Sequence, residues 1–200
     1  MSITTEQLAQ LRDRVIVAAT DPSFIHHDWY VTYHLEIFLK FAGELCDRYP
    51  IADRGIVEAL VWLHDFGKML DVANQYELSI SEGTKLLRKI GVDETFITKV
   101  MEYLDLFEKK KEIDLRTAPI EVQIASSSDA ASHMIGPFFA LYWKENHQKT
   151  IPQLMSENIR KLGHDWERKI TLPEVHELMQ SRHDMLLEQF GILPDKFFRA

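Results

Sequence analysis

Apolar residues recur along most of the chain at spacings of three and four, as they do on the buried face of an amphipathic α-helix. The clearest run comprises Leu35, Phe38, Leu39, Ala42 and Leu45. We find no succession of alternating apolar and polar positions of the kind that marks β-strands. The pattern therefore predicts an all-α fold.

Prolines and glycines divide this pattern into segments, because neither residue continues a helix readily. Expected helix ends lie at Asp21-Pro22, Pro50, Gly67, Gly91 and Gly136-Pro137. The pattern predicts helices over about residues 6–19, 28–50, 53–66, 79–90, 94–110 and 119–136. Further helices are predicted in FFALYWKENH, IPQLMSENIRKLG and LPEVHELMQSRHDMLLEQF, a C-terminal part that carries aromatic residues but no concentrated chemistry.

With 200 residues, 46% hydrophobic and 27% charged, the chain has the composition of an ordinary globular domain. Its net charge of −8 argues against a basic nucleic-acid-binding face, so we expect no nucleic-acid polymer as a partner. A small phosphorylated substrate stays compatible with this charge, because a metal ion and a few cationic side chains reverse the potential locally.

The N-terminal segment lacks the basic and apolar regions of a signal peptide, and no apolar run is long enough to span a bilayer. A cytoplasmic location without a membrane partner is therefore expected. The single cysteine, Cys46, lies among apolar residues and is expected in the core rather than as a reactive thiol.

His64 and Asp65 stand at the end of the apolar segment ALVWLHDFGK. Adjacent residues on a helix point about 100° apart, so the two side chains reach one ion most easily where the helix ends. Gly67 is expected to turn the chain away at this point. An imidazole beside a carboxylate suits several divalent metals, so the pair is a candidate metal site that needs further ligands.

Further candidates come from other predicted helices. His34 lies on the helix before this pair, and Asp129 lies in the run SSSDAAS within an apolar helix. A buried aspartate is costly unless a cation pairs with it, which favours a functional interpretation of Asp129 over a cap or turn position. His26 and His27 precede the second helix and are expected at a pocket mouth rather than on a metal.

The order of His34, the HDFGK segment that starts at His64, and Asp129 resembles the HD-domain superfamily of metal-dependent phosphohydrolases. The resemblance extends over about half of the chain, from roughly residue 29 to residue 136. The His-Asp dipeptide alone carries no weight. An apolar helix that ends in HDFGK, with an upstream histidine and a downstream aspartate, is much more specific.

The resemblance implies one domain over residues 1–200, an HD-type helical bundle with additional C-terminal helices. The metal-site core would occupy about residues 24–136 and the C-terminal helical extension about 137–200. The implied cofactor is one divalent ion, among manganese, magnesium, iron, cobalt, nickel and zinc. Its implied ligands are His34, His64, Asp65 and Asp129.

The implied activity is hydrolysis of a phosphate ester by a metal-activated water. The expected substrate is a phosphomonoester of a nucleotide or of another small metabolite. Catalytic roles are expected for Asp65, which orients the water, and for Lys68, which places an ammonium near the phosphate. A solvated lysine at a helix end is the alternative interpretation of Lys68.

Many members of the superfamily carry two further histidines before the last aspartate, whereas this chain has none between His64 and His133. A binuclear centre is therefore disfavoured. His133 lies one helical turn after Asp129 and is a candidate substrate contact, with a core histidine as the alternative. Glu77 is a second candidate substrate contact, with a solvent-facing acid as the alternative.

Two other functions stay open at this point. One is a phosphodiesterase acting on cyclic nucleotides. The other is a catalytically silent HD protein that senses a metal or a ligand, which the missing histidines would permit. The apolar segment FFALYW fits either a homodimer interface or burial in the core.

Overall fold

The fold comes from a computed structural model that describes residues 2–109 and 112–198. These residues form helices and connecting turns, with no strand among them, so the predicted all-α class is confirmed. The α-helices are α1 (Thr5–Ala19), α2 (Glu36–Arg48), α3 (Arg54–Leu63), α4 (Phe66–Leu70), α5 (Gln75–Lys89), α6 (Glu94–Glu108), α7 (Ile120–Ile135), α8 (Phe138–Glu145), α9 (Ile151–His164) and α10 (Pro173–Gln189). Short 3₁₀ turns lie at Val72–Asn74 and Leu115–Thr117, and π-helical turns lie at Val31–Leu35 and Asp165–Lys169.

Side-chain caps set several of these boundaries. Thr4 and Gln7 form a capping box at the start of α1, each side chain bonding the other residue's backbone N–H. Asp53 caps α3 through a carboxylate oxygen.

The helix predicted over 94–110 is shorter in the structure, and Lys110 lies outside the described residues.

Helix α7 is the centre of the fold. It contacts α2, α3, α6, α10 and both π-helical turns, and nearly all of its side chains are buried. The chain approaches it closely: a Cβ on Gly136, just past its end, would lie 2.9 Å from the Tyr33 carbonyl oxygen. This packing holds the first π-helical turn, which carries His34, against α7.

The segment around Gly67 differs from the prediction. Helix α3 ends one residue before His64, and Gly67 lies inside the short helix α4 rather than ending a helix. A Cβ on Gly67 would lie 1.9 Å from the Gln75 carbonyl oxygen, so α4 and α5 meet in direct backbone contact. The φ of Gly67 is not positive, so glycine is not required here for a left-handed backbone conformation. It is required because the two helices approach each other too closely for a side chain.

The structure also bears on the predictions made for Cys46 and for the segment FFALYW. Cys46 is buried in α2 as predicted, and burial raises the pKa of its thiol to about 11. In the apolar segment FFALYW, Phe139 is buried in the core while Phe138 and Tyr142 are only partly covered. A homodimer through this segment stays a prediction.

No helix in the described ranges is both long and apolar enough to span a bilayer.

Candidate metal centre and its cavity

A cavity of about 360 Å³ lies beside α7, between the first π-helical turn, the α3–α4 turn and α9. Its wall includes every predicted metal ligand, together with Lys68 and His133. It also includes aromatic and charged residues that the sequence did not single out as site residues, among them Trp29, Tyr30, Phe138, Tyr142, Glu145, Lys161 and Lys169.

The two predicted histidine ligands face each other across the cavity wall. His64 Nδ1 lies 2.9 Å from the Val61 carbonyl oxygen, so this nitrogen carries the hydrogen and Nε2 keeps its lone pair. His34 Nδ1 lies 2.9 Å from the Ser132 hydroxyl, which itself donates to the Asp129 carbonyl oxygen and must accept from His34. Both rings therefore present an unprotonated Nε2, and the two Nε2 atoms are 3.2 Å apart.

This spacing fits two ligands of a single ion. Ligands that lie about 2.0–2.1 Å from one ion, at angles of about 90–110°, are about 2.8–3.4 Å apart. Burial, and to a smaller extent the neighbouring His133, lowers the pKa of His34 well below its ordinary value. The ring is therefore neutral and ready to ligate a metal at neutral pH. The donor set therefore suits a divalent metal.

Asp65 completes one group of ligand atoms. Its carboxylate lies 3.8 Å from His64 Nε2 and accepts hydrogen bonds from the Tyr30 hydroxyl at 3.0 Å and from Lys68 Nζ at 3.2 Å. Burial alone would raise the pKa of Asp65, but Lys68 and the two histidines outweigh it and hold the pKa below its ordinary value. One ligand atom each of His34, His64 and Asp65 falls within a 4.8 Å group.

Asp129 belongs to a second group, which shares His34. Its Oδ1 lies 3.6 Å from His34 Nε2 and 3.5 Å from His133 Nε2, and these three residues also fall within 4.8 Å. The four predicted ligands are thus divided between two groups of three rather than gathered in one. His133, predicted as a substrate contact, lies where a metal ligand could lie, and its role stays a prediction.

A buried cation holds the other oxygen of Asp129. Lys169 Nζ donates to Asp129 Oδ2 and lies 3.6 Å from Asp165 Oδ1, with only 4% of its side chain exposed. Burial would lower the pKa of Lys169, but the two carboxylates raise it above its ordinary value. The pKa of Asp129 is held well below its ordinary value, since Lys169 and the neighbouring histidines outweigh the effect of burial. Asp129 therefore turns Oδ1 towards the histidines as a carboxylate.

Lys169 and Asp165, which hold Asp129 in place, belong to the C-terminal part of the chain, residues 137–200. The prediction that this part carries no concentrated chemistry is therefore wrong. Asp165 accepts from His133 Nδ1 at 2.9 Å and from Lys161 Nζ at 2.6 Å. The Ser126 hydroxyl on α7 donates to the Lys169 carbonyl oxygen at 2.9 Å and anchors the second π-helical turn. In the sequence, Asp165 and Lys169 have the i, i+4 spacing of a solvated helix pair, which hid their burial.

At the cavity mouth, His26 takes the position that the sequence predicted. Its Nδ1 lies 2.8 Å from Glu145 Oε2, and Trp29 Nε1 donates to Glu145 Oε1 at 2.6 Å. His27 pairs with its neighbour Asp28 at 3.2 Å and does not line the cavity. Glu145 was missed, because its partners are far away in the chain.

The two remaining predicted site residues, Lys68 and Glu77, differ in their position relative to the cavity. Lys68 lines the cavity, with 26% of its side chain exposed, and faces Asp65. Glu77 is exposed and does not line the cavity, whereas Gln75 and Tyr76 beside it do. The solvent-facing interpretation therefore agrees with the position of Glu77.

Distant relatives match part of this chain. It is 31% identical over 83 residues to the 3′-5′ exoribonuclease YhaM of Bacillus subtilis (strain 168), and likewise to that of Geobacillus sp. (strain WCH70). Each match covers 40% of this chain and 26% of the relative, so the chain spans about a quarter of the length of these relatives. No protein-family model matches the chain, and no solved structure matches it significantly.

The similarity to proteins named exoribonucleases contradicts the prediction that no nucleic-acid polymer is a partner. It relied on the net charge of −8, which averages over the whole surface. Three lysines, Lys68, Lys161 and Lys169, share the wall of one cavity with four acidic side chains, so the local arrangement of charges, and not the net charge, decides whether a phosphate can enter.

Proposed function

We propose that this chain is a distant HD-type, metal-dependent hydrolase of phosphate esters. The observation that carries the proposal is the pair of unprotonated Nε2 atoms of His34 and His64, 3.2 Å apart and flanked by carboxylates. A divalent ion bound there supplies Lewis-acid activation of the phosphoryl group and of the attacking water. Its proposed ligands are His34, His64, Asp65 and Asp129, and His34, which belongs to both groups of ligand atoms, would join them at the ion. Nitrogen and oxygen donors together suit manganese, iron, cobalt, nickel and zinc, and magnesium less well.

Other side chains of the cavity would divide the remaining tasks. Asp65 orients the attacking water by accepting its hydrogen bond, and Tyr30 keeps the Asp65 carboxylate in place. The Lys68 ammonium is partly exposed in the wall and can turn from Asp65 to a substrate phosphate. Because Lys161 and Lys169 line the same cavity, we propose that the C-terminal helices belong to the same functional unit as residues 24–136.

The similarity to exoribonucleases favours the terminal phosphodiester of an RNA strand as the substrate. An enzyme that removes terminal nucleotides needs a site for one nucleotide, and about 360 Å³ lies within the range of small-ligand sites. The same volume favours a second candidate, a phosphomonoester of a nucleotide or of another small metabolite. Two further possibilities are hydrolysis of cyclic nucleotides and a protein that hydrolyses no substrate. One hydrolysis assay distinguishes all four.

The test is a hydrolysis panel with each metal added singly to metal-free protein. The substrates are a 5′-labelled oligoribonucleotide, nucleoside monophosphates, sugar phosphates and cyclic nucleotides. We expect metal-dependent shortening of the oligoribonucleotide and none in the presence of a chelator. Release of phosphate from monoesters alone would select the second candidate. Full metal occupancy without turnover of any substrate would contradict the enzymatic proposal.

A matched pair of variants separates the site from general effects of charge. Asp65→Asn removes a proposed ligand charge inside the cavity and is expected to abolish hydrolysis. Asp47→Asn removes the same charge from a side chain that is 75% exposed and paired with Arg54 on the surface. We expect this control to keep full activity, and an equally active Asp65→Asn would overturn the site.

A further inference from the structure

A second cavity, of about 520 Å³, adjoins the cavity of the candidate metal centre. Four residues line both cavities, so the two spaces meet at a shared wall: Phe138, Tyr142, Lys161 and His164. Asn158 and Arg160 of α9 line only the second cavity. Hydrolysis at the metal centre does not by itself require this second space.

Asn158 brings an unsatisfied hydrogen-bond donor to this wall. The residue is 1% exposed, and its Nδ2 has no hydrogen-bond partner in the described part of the chain. A buried amide donor without an acceptor destabilises the protein, and a ligand that supplies an acceptor removes that cost. Asn158 is therefore a polar group whose partner is expected to come from outside the chain.

The shared wall is aromatic and held in position. The Tyr142 hydroxyl donates to Glu157 Oε2 at 2.5 Å and accepts from Lys149 Nζ at 3.0 Å, which fixes the ring. The Lys161 ammonium lies 5.5 Å from the centroid of the Phe138 ring. Fixed aromatic rings beside cations form the kind of surface on which nucleobases stack.

Arg160 adds a cation at the rim. It is exposed, and none of the ion pairs formed within residues 2–109 and 112–198 includes it. A guanidinium forms paired hydrogen bonds with phosphate oxygens. The Glu157 carboxylate also lines this cavity, and Lys149 neutralises it at 2.8 Å. The second cavity thus combines aromatic rings, a buried amide donor and an exposed guanidinium, which together match a nucleotide.

We propose that the second cavity binds the penultimate nucleotide of a single-stranded RNA while the terminal nucleotide occupies the metal cavity. Its base stacks on the aromatic wall, Asn158 donates to it, and Arg160 holds its phosphate. The proposal rests on the hydrolytic function proposed above and narrows the substrate class to strands of at least two nucleotides.

The first test measures binding without chemistry. A fluorescently labelled tri-ribonucleotide is titrated with metal-free protein in the presence of a chelator, and unlabelled adenosine monophosphate serves as the competitor that lacks a second nucleotide. We expect Arg160→Ala and Asn158→Leu each to weaken trinucleotide binding by about tenfold or more. Arg14→Ala, an exposed change on α1 outside both cavities, is the matched control.

The outcomes are distinct. Unchanged trinucleotide binding by a folded Arg160→Ala variant would overturn the proposal, as would a trinucleotide that binds no tighter than the monophosphate. Arg160 is exposed, so this variant keeps the test decisive even if Asn158→Leu fails to fold. Weakened binding without hydrolysis of any substrate would support the second cavity and contradict the enzymatic function. Hydrolysis of RNA with undiminished binding by both variants would contradict the second cavity alone.

Discussion

The Nε2 atoms of His34 and His64 lie 3.2 Å apart, although 30 residues separate the two histidines in the sequence. Each ring is held through its other nitrogen, by the Ser132 hydroxyl and by the Val61 carbonyl oxygen respectively. Two lone pairs that face each other repel unless a cation lies between them. A divalent ion at this point would turn the repulsion into two coordination bonds.

Ser132→Ala is expected to lower metal affinity by about 10- to 100-fold, because it removes the hydrogen bond that orients His34. The free energy of unfolding of the metal-free protein should fall by about 1–3 kcal/mol, because the buried Nδ1–H of His34 loses its acceptor. Competition titration with a chelating dye measures the affinity, and urea unfolding measures the stability. Ser156→Ala, at an exposed position on α9, is the control. Unchanged affinity in Ser132→Ala would show that His34 is not a ligand.

Lys169→Met is expected to destabilise the metal-free protein by about 3–5 kcal/mol, because Asp129 and Asp165 lose their buried cation. Added metal should restore part of this loss, since an ion at Asp129 replaces some of the missing charge. Urea unfolding with and without metal makes the comparison. Lys85→Met removes a 69% exposed surface cation and should cost far less. Equal effects of the two changes would contradict the importance assigned to Lys169.

Gly67→Ala is expected to destabilise the fold by about 3 kcal/mol or more, because a Cβ would collide with the Gln75 carbonyl oxygen at 1.9 Å. Gly163→Ala is a control of opposite sign. That glycine also lies in a helix, and a Cβ there meets nothing within 4 Å, so the change should stabilise by about 0.5–1 kcal/mol. Thermal unfolding of both variants measures the difference, and a neutral Gly67→Ala would disprove the tight contact between α4 and α5.

The helices and the histidine–aspartate residues of the cavity could be predicted from the sequence, because apolar periodicity and ligand chemistry are local properties. The all-α class, the capping at Thr4 and the burial of Cys46 follow from neighbouring residues alone. The π-helical turns could not be predicted. Each contains a backbone N–H···O=C bond between residues five apart, which no residue pattern announces, and they carry His34 and Lys169.

Long-range pairs account for the other differences. The cluster of Lys161, Asp165 and Lys169 resembles a solvated helix face until the fold lays it against α7. Glu145 meets His26 across 119 residues of sequence. The net charge misled in the same way, because it does not reveal how the fold arranges acidic and basic side chains around one cavity.

Lys68→Ala is expected to raise KM for a phosphate-ester substrate by about tenfold while metal occupancy stays unchanged, because Lys68 faces the cavity without being a proposed ligand. Steady-state kinetics and metal analysis of the same sample provide the two readouts. Lys89→Ala, exposed on α5, serves as the control. Loss of metal in Lys68→Ala would indicate that Lys68 acts by positioning Asp65 instead.

Metal stoichiometry, measured by isothermal titration, tests most directly whether the cavity holds a divalent metal ion. Metal-free protein should bind one ion per chain of manganese, iron, cobalt, nickel or zinc. Asp65→Asn and His64→Ala should lose this binding, whereas Asp47→Asn should keep it. If the native protein binds none of these ions, or if folded Asp65→Asn and His64→Ala bind them as tightly as the native protein, the metal centre proposed at this cavity is contradicted.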